Sequence, residues 1–167
     1  CFDYCWCGNY EKQSAKELSP SEIKQIIDQV ARYPSLFTVV CFIGGEPLLR
    51  EDIYDLIDYA VKKGLFTEME TNGILLSVDN IARIKKAGLN HIFVRVEGSN
   101  KEKHDSISKN NGCFEKAIEG IKNCVKKDLS CSTFMNITRE KIASGEPAKI
   151  IDLAKKLKVS SVRINYP

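Results

Sequence analysis

The sequence predicts an α/β fold built on a parallel sheet. Three observations carry the prediction. Five strand-like stretches alternate with five helix patterns in units of about 30 residues, the rhythm of βαβ crossovers with right-handed connections. One stretch, Phe37 to Ile43, is nearly all apolar and β-branched, which is how a strand buried on both faces reads. Polar and glycine residues recur where the stretches end, at Gly44 to Pro47, Glu70 to Gly73, Glu97, Asn136 and Asn165. Ligand sites in parallel α/β folds gather at the carboxyl ends of strands. The period fits a partial barrel or an open doubly wound sheet equally well.

Each element has its own signal. Residues 8 to 18 are polar and mixed in charge, a loop. Ser19-Pro20-Ser21-Glu22 starts a helix: Ser19 caps, Glu22 reaches back, and Pro20 suits the first helical position. Ile23, Ile26, Ile27 and Val30 give that helix one apolar face, and Pro34 ends it. After the Phe37 to Ile43 strand, a helix over Glu51 to Lys63 turns Ile53, Leu56, Ile57 and Ala60 inward and stops at Gly64. Leu65 to Thr71 reads as a more polar strand. Ser77 or Asp79 starts a helix that ends at Gly88. Asn90 to Val96 is a strand, followed by a long polar loop to about Gly112. Then come a helix over Phe114 to Lys127, a strand over Ser130 to Ile137, a helix over Pro147 to Leu157 and a strand over Val159 to Ile164.

The chain has 167 residues, 43% of them hydrophobic, which suits one domain with a sizeable core. A net charge of +3, dispersed, argues against nucleic acid and against a membrane surface. No apolar run approaches the roughly 20 residues that span a bilayer. Lys62-Lys63, Lys85-Lys86 and Lys126-Lys127 sit at helix ends, where they oppose the helix dipole and need no partner.

Seven cysteines form no even disulfide framework. Cys41 and Cys124 read as buried small hydrophobes. Cys113 opens a helix, where the dipole can steady a thiolate, although packing is the plainer role. Cys131 is placed in a strand from which it can point into a barrel. The other three are different. Cys1, Cys5 and Cys7 fall within seven residues, with Trp6 between the last two. Closed zinc or iron–sulfur sites take four protein ligands. Three leave a position open for a substrate.

This loop, with Gly44-Gly45-Glu46-Pro47 some forty residues on, resembles the radical S-adenosylmethionine (SAM) superfamily. Glu70-Thr71-Asn72-Gly73, Lys85-Lys86-Ala87-Gly88-Leu89, His104-Asp105 and Cys113 to Ile121 extend the resemblance toward its peptide-modifying maturases. The cysteine spacing here is C-x-x-x-C-x-C, one residue shorter than the family's, with Gly8 where its third cysteine falls. The resemblance implies a parallel-sheet partial TIM-type barrel, (βα)6-like, with its first strand missing from this chain. We expect residues 1–167 to be one radical SAM core domain, a segment of a longer protein.

The resemblance also implies the chemistry. Cys1, Cys5 and Cys7 ligate three irons of a [4Fe-4S] cluster, and the fourth iron chelates SAM. Glu46, with the backbone of Gly44, Gly45 and Pro47, receives the SAM amine. Thr71, Asn72 and Asn136 face cofactor or substrate. Arg95 pairs with the SAM carboxylate. Glu97 binds ribose hydroxyls or substrate. Trp6 packs near the adenine or plugs the barrel mouth. One-electron cleavage of SAM gives a 5′-deoxyadenosyl radical that takes hydrogen from a substrate, a peptide or protein in the maturase branch. An electron donor such as flavodoxin or ferredoxin and a reducing cytoplasm complete the expectation. His91 and His104 read as packing histidines, His104 in a loop away from the strand ends. Two other readings stand beside this one: a non-catalytic module holding zinc on the three thiolates, with His104 or water completing the shell, and an inactive remnant that binds nothing.

Overall fold

The computed structural model describes residues 17–33 and 37–166. Helix α1 (Pro20–Val30) opens on the expected reciprocal cap. Ser19 Oγ accepts from the Glu22 amide at 3.3 Å, and Glu22 Oε2 accepts from the Ser19 amide at 2.8 Å. Strand β1 (Val39–Phe42) leads through a 3-10 turn (Pro47–Leu49) into α2 (Ile53–Lys62). Then follow β2 (Phe66–Thr71), α3 (Val78–Ala87), β3 (His91–Arg95), α4 (Lys101–Ser108), α5 (Cys113–Lys126), β4 (Cys131–Asn136), α6 (Arg139–Ala143), α7 (Glu146–Leu157) and β5 (Val162–Asn165).

All five strands run parallel, in the spatial order β1-β2-β3-β4-β5. That order separates the two architectures the sequence leaves open. Right-handed crossovers that always step the same way put their helices on one face. A doubly wound sheet reverses its strand order instead. The sheet is therefore a barrel wall, with helices outside and a concave lumen inside.

The pleat sends alternate residues to opposite faces. Met69, Ile92, Val94, Val96 and Cys131 face outward and pack with Ile53 and Ile57 of α2, Ile81 and Ile84 of α3, and Ala117, Ile121 and Cys124 of α5. Burying one such aliphatic side chain stabilises the fold by roughly 1.5–3 kcal/mol. The tightest point of this layer is glycine on glycine. Gly73, at φ +82°, follows β2, and a Cβ there would stand 2.7 Å from Val94 Cγ1 and 3.2 Å from Ala117 Cα. A Cβ on Gly120 of α5 would stand 2.5 Å from the Gly73 carbonyl oxygen.

Several expectations need correction. The polar stretch before Gly112 is not a loop; it holds α4. Its sequence is polar although its inner face, His104, Asp105 and Ser108, is buried, and its end is pinned. Asp105 accepts from the Gly112 and Phe114 amides at 2.7 and 2.9 Å and from Cys113 Sγ at 3.2 Å, so it caps α5 from the preceding helix. Burial works against the Asp105 carboxylate, but those donors hold it below its ordinary range. A second short helix, α6, is capped by Thr138, so the described residues hold seven α-helices rather than five. Strand β1 is not buried on both faces. Among the described residues it is the sheet edge, paired only with β2, and Val39, Cys41 and Ile43 are exposed. Cys131 points away from the lumen, onto Cys124, and that contact and burial both push its thiol up. Cys113 is buried against Ser108 and Asp105, and burial raises it too, so it is a packed thiol rather than a thiolate.

Candidate functional site

The site residues lie where β1, β2, β3 and β4 end, on one rim of the lumen. Residues 1–16 fall outside the described structure, so Cys1, Cys5, Cys7 and Trp6 have no geometry here. The others form two groups.

The first is built on Glu46, just past β1. Its Oε1 accepts from Thr71 Oγ1 at 2.6 Å, and its Oε2 from the Asn72 amide at 2.9 Å. The Leu48 amide adds a longer bond at 3.4 Å. Thus the end of β1 is tied to the end of β2, and the half-buried carboxylate keeps a fixed direction. Burial raises its pKa, opposed by the Thr71 hydroxyl, the Asn72 and Leu48 amides and the positive charge of Arg95. A Cβ on either Gly44 or Gly45 would meet nothing within 4 Å, and Gly44 sits at φ +144°. Open backbone beside an oriented carboxylate suits an ammonium-bearing ligand that must lie close to the main chain. The donor set therefore fits the amino-acid end of SAM.

The second group is built on Glu97, just past β3, and is closed. Asn136 donates to it from Nδ2 at 3.1 Å and from its amide at 3.3 Å. Lys141 of α6 makes an ion pair with its Oε2 and donates to the Asn136 carbonyl at 2.7 Å. The Glu97 amide donates to His104 Nδ1 at 3.2 Å, so His104 packs against a strand end rather than in a remote loop. Burial first, and the Lys141 charge after it, push the His104 pKa down to about 4, so its ring is neutral at pH 7. Glu97 is 1% exposed. Next along, the Ser99 amide and Lys103 hold the buried Glu146 at the start of α7.

Between the groups lies a polar lumen. Arg95 of β3, Phe134 of β4 and Arg163 of β5 are in register. Arg95 lies over the Phe134 ring at 5.0 Å, and Arg163 over Phe93 at 3.6 Å. Arg163 donates to Glu70 Oε1 of β2 at 2.6 Å and approaches Glu68 at 3.7 Å. In a flat sheet β2 and β5 would stand about 14 Å apart; the concave wall brings these side chains together. Cys41 also faces this lumen. Although the residue is exposed at the sheet edge, partial desolvation by the wall and the charges of Glu70 and Glu68 push its thiol up to about 11, so it supplies no thiolate.

Sequence reasoning missed Lys141, Arg163 and the lumen placement of Glu68 and Glu70. The two glutamates alternate with Thr67 and Met69, a period-two pattern that marks a strand with a polar face. Nothing separates Lys141 or Arg163 from the chain's other cations before the fold is known. The described structure brings together no three groups able to hold a metal ion. None of its helices is long and apolar enough to cross a membrane. A wide groove of about 740 Å³, lined by residues such as Phe37, Val61, Phe66 and Asn90, lies at the amino ends of the strands, away from these groups.

Comparison with known proteins agrees with the architecture. The family model described as "Radical SAM superfamily" matches residues 3–144. An AdoMet-dependent heme synthase of Methanosarcina barkeri is 32% identical over 154 residues, 92% of this chain and 43% of that protein. The PqqA peptide cyclase of Rhodopseudomonas palustris is 35% identical over 96 residues, 58% of this chain and 25% of that one. The solved structure of tagged anSMEcpe with bound AdoMet superposes with a TM-score of 0.80 at 15% identity, covering 99% of this chain and 47% of the other. The last match speaks for the fold alone, and in each case this chain spans less than half of the longer protein. The family match over most of the chain, the parallel barrel wall and the glycine-flanked carboxylate at its rim lead to one conclusion: this chain belongs to the radical SAM superfamily, enzymes that use a [4Fe-4S] cluster and SAM.

Proposed function

We propose that this chain is the SAM-binding core of an enzyme that cleaves SAM reductively and abstracts hydrogen from a substrate. Cys1, Cys5 and Cys7 would hold the cluster, and Glu46, with Gly44, Gly45 and Pro47, the amino end of SAM. When bound, a reduced [4Fe-4S] cluster supplies the electron that cleaves a carbon–sulfur bond of SAM, releasing a radical that takes a hydrogen atom from the substrate. The chain's own residues bind and orient. Thr71 and the Asn72 amide hold Glu46 in place, Asn136 and Glu97 border the other side, and Arg95 carries positive charge toward the carboxylate end. The Glu46 cradle is the single observation that supports this reading most, because a loop capper needs no open glycine backbone beside it.

The test is anaerobic reconstitution with iron and sulfide, then electron paramagnetic resonance of the reduced protein with and without SAM. A [4Fe-4S] signal that shifts on adding SAM and disappears in Cys5→Ala supports the proposal. A colourless, zinc-loaded chain supports the metal-module reading, which the contracted C-x-x-x-C-x-C spacing favours.

We take the substrate to be a peptide or protein, on the match around residues 104 to 121 and the peptide-cyclase relative. A second reading, an iron porphyrin, is favoured by the heme synthase relative, which matches over more of the chain. Stimulation of 5′-deoxyadenosine formation by an iron porphyrin and not by peptides would decide for the second. A ferredoxin or flavodoxin would deliver the electron.

A further inference from the structure

We propose that Glu68 is a specificity-determining residue: it makes the lumen take a peptide substrate by a cationic side chain, lysine or arginine, and this rests on the peptide reading above. Two carboxylates and one guanidinium meet on the inner wall. Arg163 gives its close hydrogen bond to Glu70, at 2.6 Å, and lies over the Phe93 ring at 3.6 Å. Ring and bond together hold it toward Glu70. Its Nη2 stays 3.7 Å from Glu68, beyond hydrogen-bond length. Among the described residues no hydrogen bond reaches the Glu68 carboxylate, although its side chain is only 20% exposed. A carboxylate withdrawn from water this far is costly until a donor or a cation meets it. One cation between two carboxylates leaves one negative charge over.

The neighbours do not cancel that charge. His91 pairs with Glu68 in register, but its ring nitrogens meet Ser130 and Ser132 at 2.8 and 2.9 Å. Burial lowers its pKa, so it brings no positive charge at pH 7. Arg95 stands nearer the rim, over Phe134 and within the field of Glu46. On the facing side, Cys41 of β1 is in register with Glu68. After desolvation, Glu70 and Glu68 raise its thiol while Arg163 opposes them, so the guanidinium does not outweigh the two carboxylates there.

Depth sets the shape of the group that fits. Glu68 lies three residues before Thr71, which binds Glu46 at the rim, or about 10 Å of strand. A long side chain spans such a depth: its stem lies along the wall, its charged end meets Glu68, and its backbone stays at the rim. A substrate that carries carboxylates, as a porphyrin does, would bring like charge to this wall.

The test uses Cys41 as a reporter in the reconstituted full-length enzyme, its labelling read by mass spectrometry of the tryptic peptide Tyr33 to Arg50. An ammonium-bearing methanethiosulfonate should label Cys41 faster than a sulfonate-bearing one, with a ratio about tenfold above that for a free thiol. Glu68→Gln should remove most of that excess. Arg163→Met leaves both carboxylates unopposed and should raise it, and this variant carries the test if Glu68→Gln does not fold. With a neutral reagent, N-acetyl-lysine amide should slow labelling of the wild type about threefold or more, and its norleucine analogue should not. Glu68→Gln should lose that protection. A ratio equal to the free thiol's, no labelling by either reagent, equal protection by the two amides, or protection that persists in Glu68→Gln overturns the proposal. Formation of 5′-deoxyadenosine stimulated equally by peptides with and without lysine or arginine overturns it too, and leaves the peptide reading standing. Stimulation by an iron porphyrin alone would instead overturn the peptide reading itself.

Discussion

Replacing Gly120 by alanine sets two effects of opposite sign against each other. Gly120 lies mid-helix in α5, where alanine is favoured over glycine by about 1 kcal/mol. On propensity alone Gly120→Ala should stabilise. The packing says otherwise. The new Cβ would stand 2.5 Å from the Gly73 carbonyl oxygen and 2.8 Å from Leu76 Cβ. Neither obstacle is the loose end of a flexible side chain, and Gly73 is itself fixed between Val94 and Ala117. The helix must therefore lift from the sheet, opening the layer that holds Ala117, Ile121 and Cys124. Overpacking of this kind costs typically about 1–3 kcal/mol and more when backbone must move. We expect a net loss of about 1–3 kcal/mol in urea unfolding monitored by circular dichroism, with an unchanged m-value. The matched control is Gly64→Ala. It has φ +79° with nothing within 4 Å of the added Cβ, so it should lose only the left-handed backbone penalty of about 1–2 kcal/mol. A Gly120→Ala protein as stable as wild type would refute the reasoning, because it would mean that helix and turn are not in contact as described.

Further outcomes follow from the site. His104 is neutral in the folded chain, with its pKa depressed to about 4 against an ordinary 6.5. Between those values the unfolded chain binds the extra proton, so this group makes stability fall as the pH drops through the window, by at most about 3 kcal/mol, and His104→Asn should remove that part of the slope. Lys141→Met should cost about 3–5 kcal/mol by stranding Glu97, and adding Glu97→Gln should recover part of it by removing the unpaired charge, although the new NH2 must face one of the two Asn136 donors; a double-mutant cycle with no coupling would refute the pair. Glu46→Gln should weaken SAM binding by roughly ten- to a hundredfold while leaving the cluster signal intact, since a charge-assisted hydrogen bond to an amine is worth about 1.5–3 kcal/mol. Arg163→Met should change stability by less than about 1 kcal/mol because the side chain is 36% exposed. Turnover should fall while SAM affinity holds, since Arg163 stands in the lumen rather than at the SAM cradle.

Much of the architecture was legible residue by residue because its signals are local. The Ser19 and Glu22 cap, the glycines after α2 and α3, and the apolar spacing of α1 and α2 each lie within one or two turns of chain. Helix α4 has a local start signal, Asn100, whose side chain accepts from the Lys103 amide at 3.1 Å, but it was missed because its buried face is His104, Asp105 and Ser108 rather than an apolar stripe, so Lys101 to Ser108 reads as a polar loop. The exposure of β1 was misjudged for a related reason. Apolar composition suits a strand covered on two faces, but coverage depends on what else packs there.

The order of the five strands and of the five longer helices that alternate with them, the parallel direction that crossovers require, and the rim where Glu46, Thr71 and Asn72 gather are all written in the chain. Each follows from local propensity or from the end of a strand. Folding alone settles which way the sheet curls and which distant charges meet. Glu70 and Arg163 are 93 residues apart, and Glu97 and Lys141 are 44 apart. No periodicity links such pairs. Glu97 and Lys141 meet because β3 and β4 are paired and set the segments after them side by side, and Glu70 and Arg163 meet because a curved wall turns the inward side chains of separate strands toward one another.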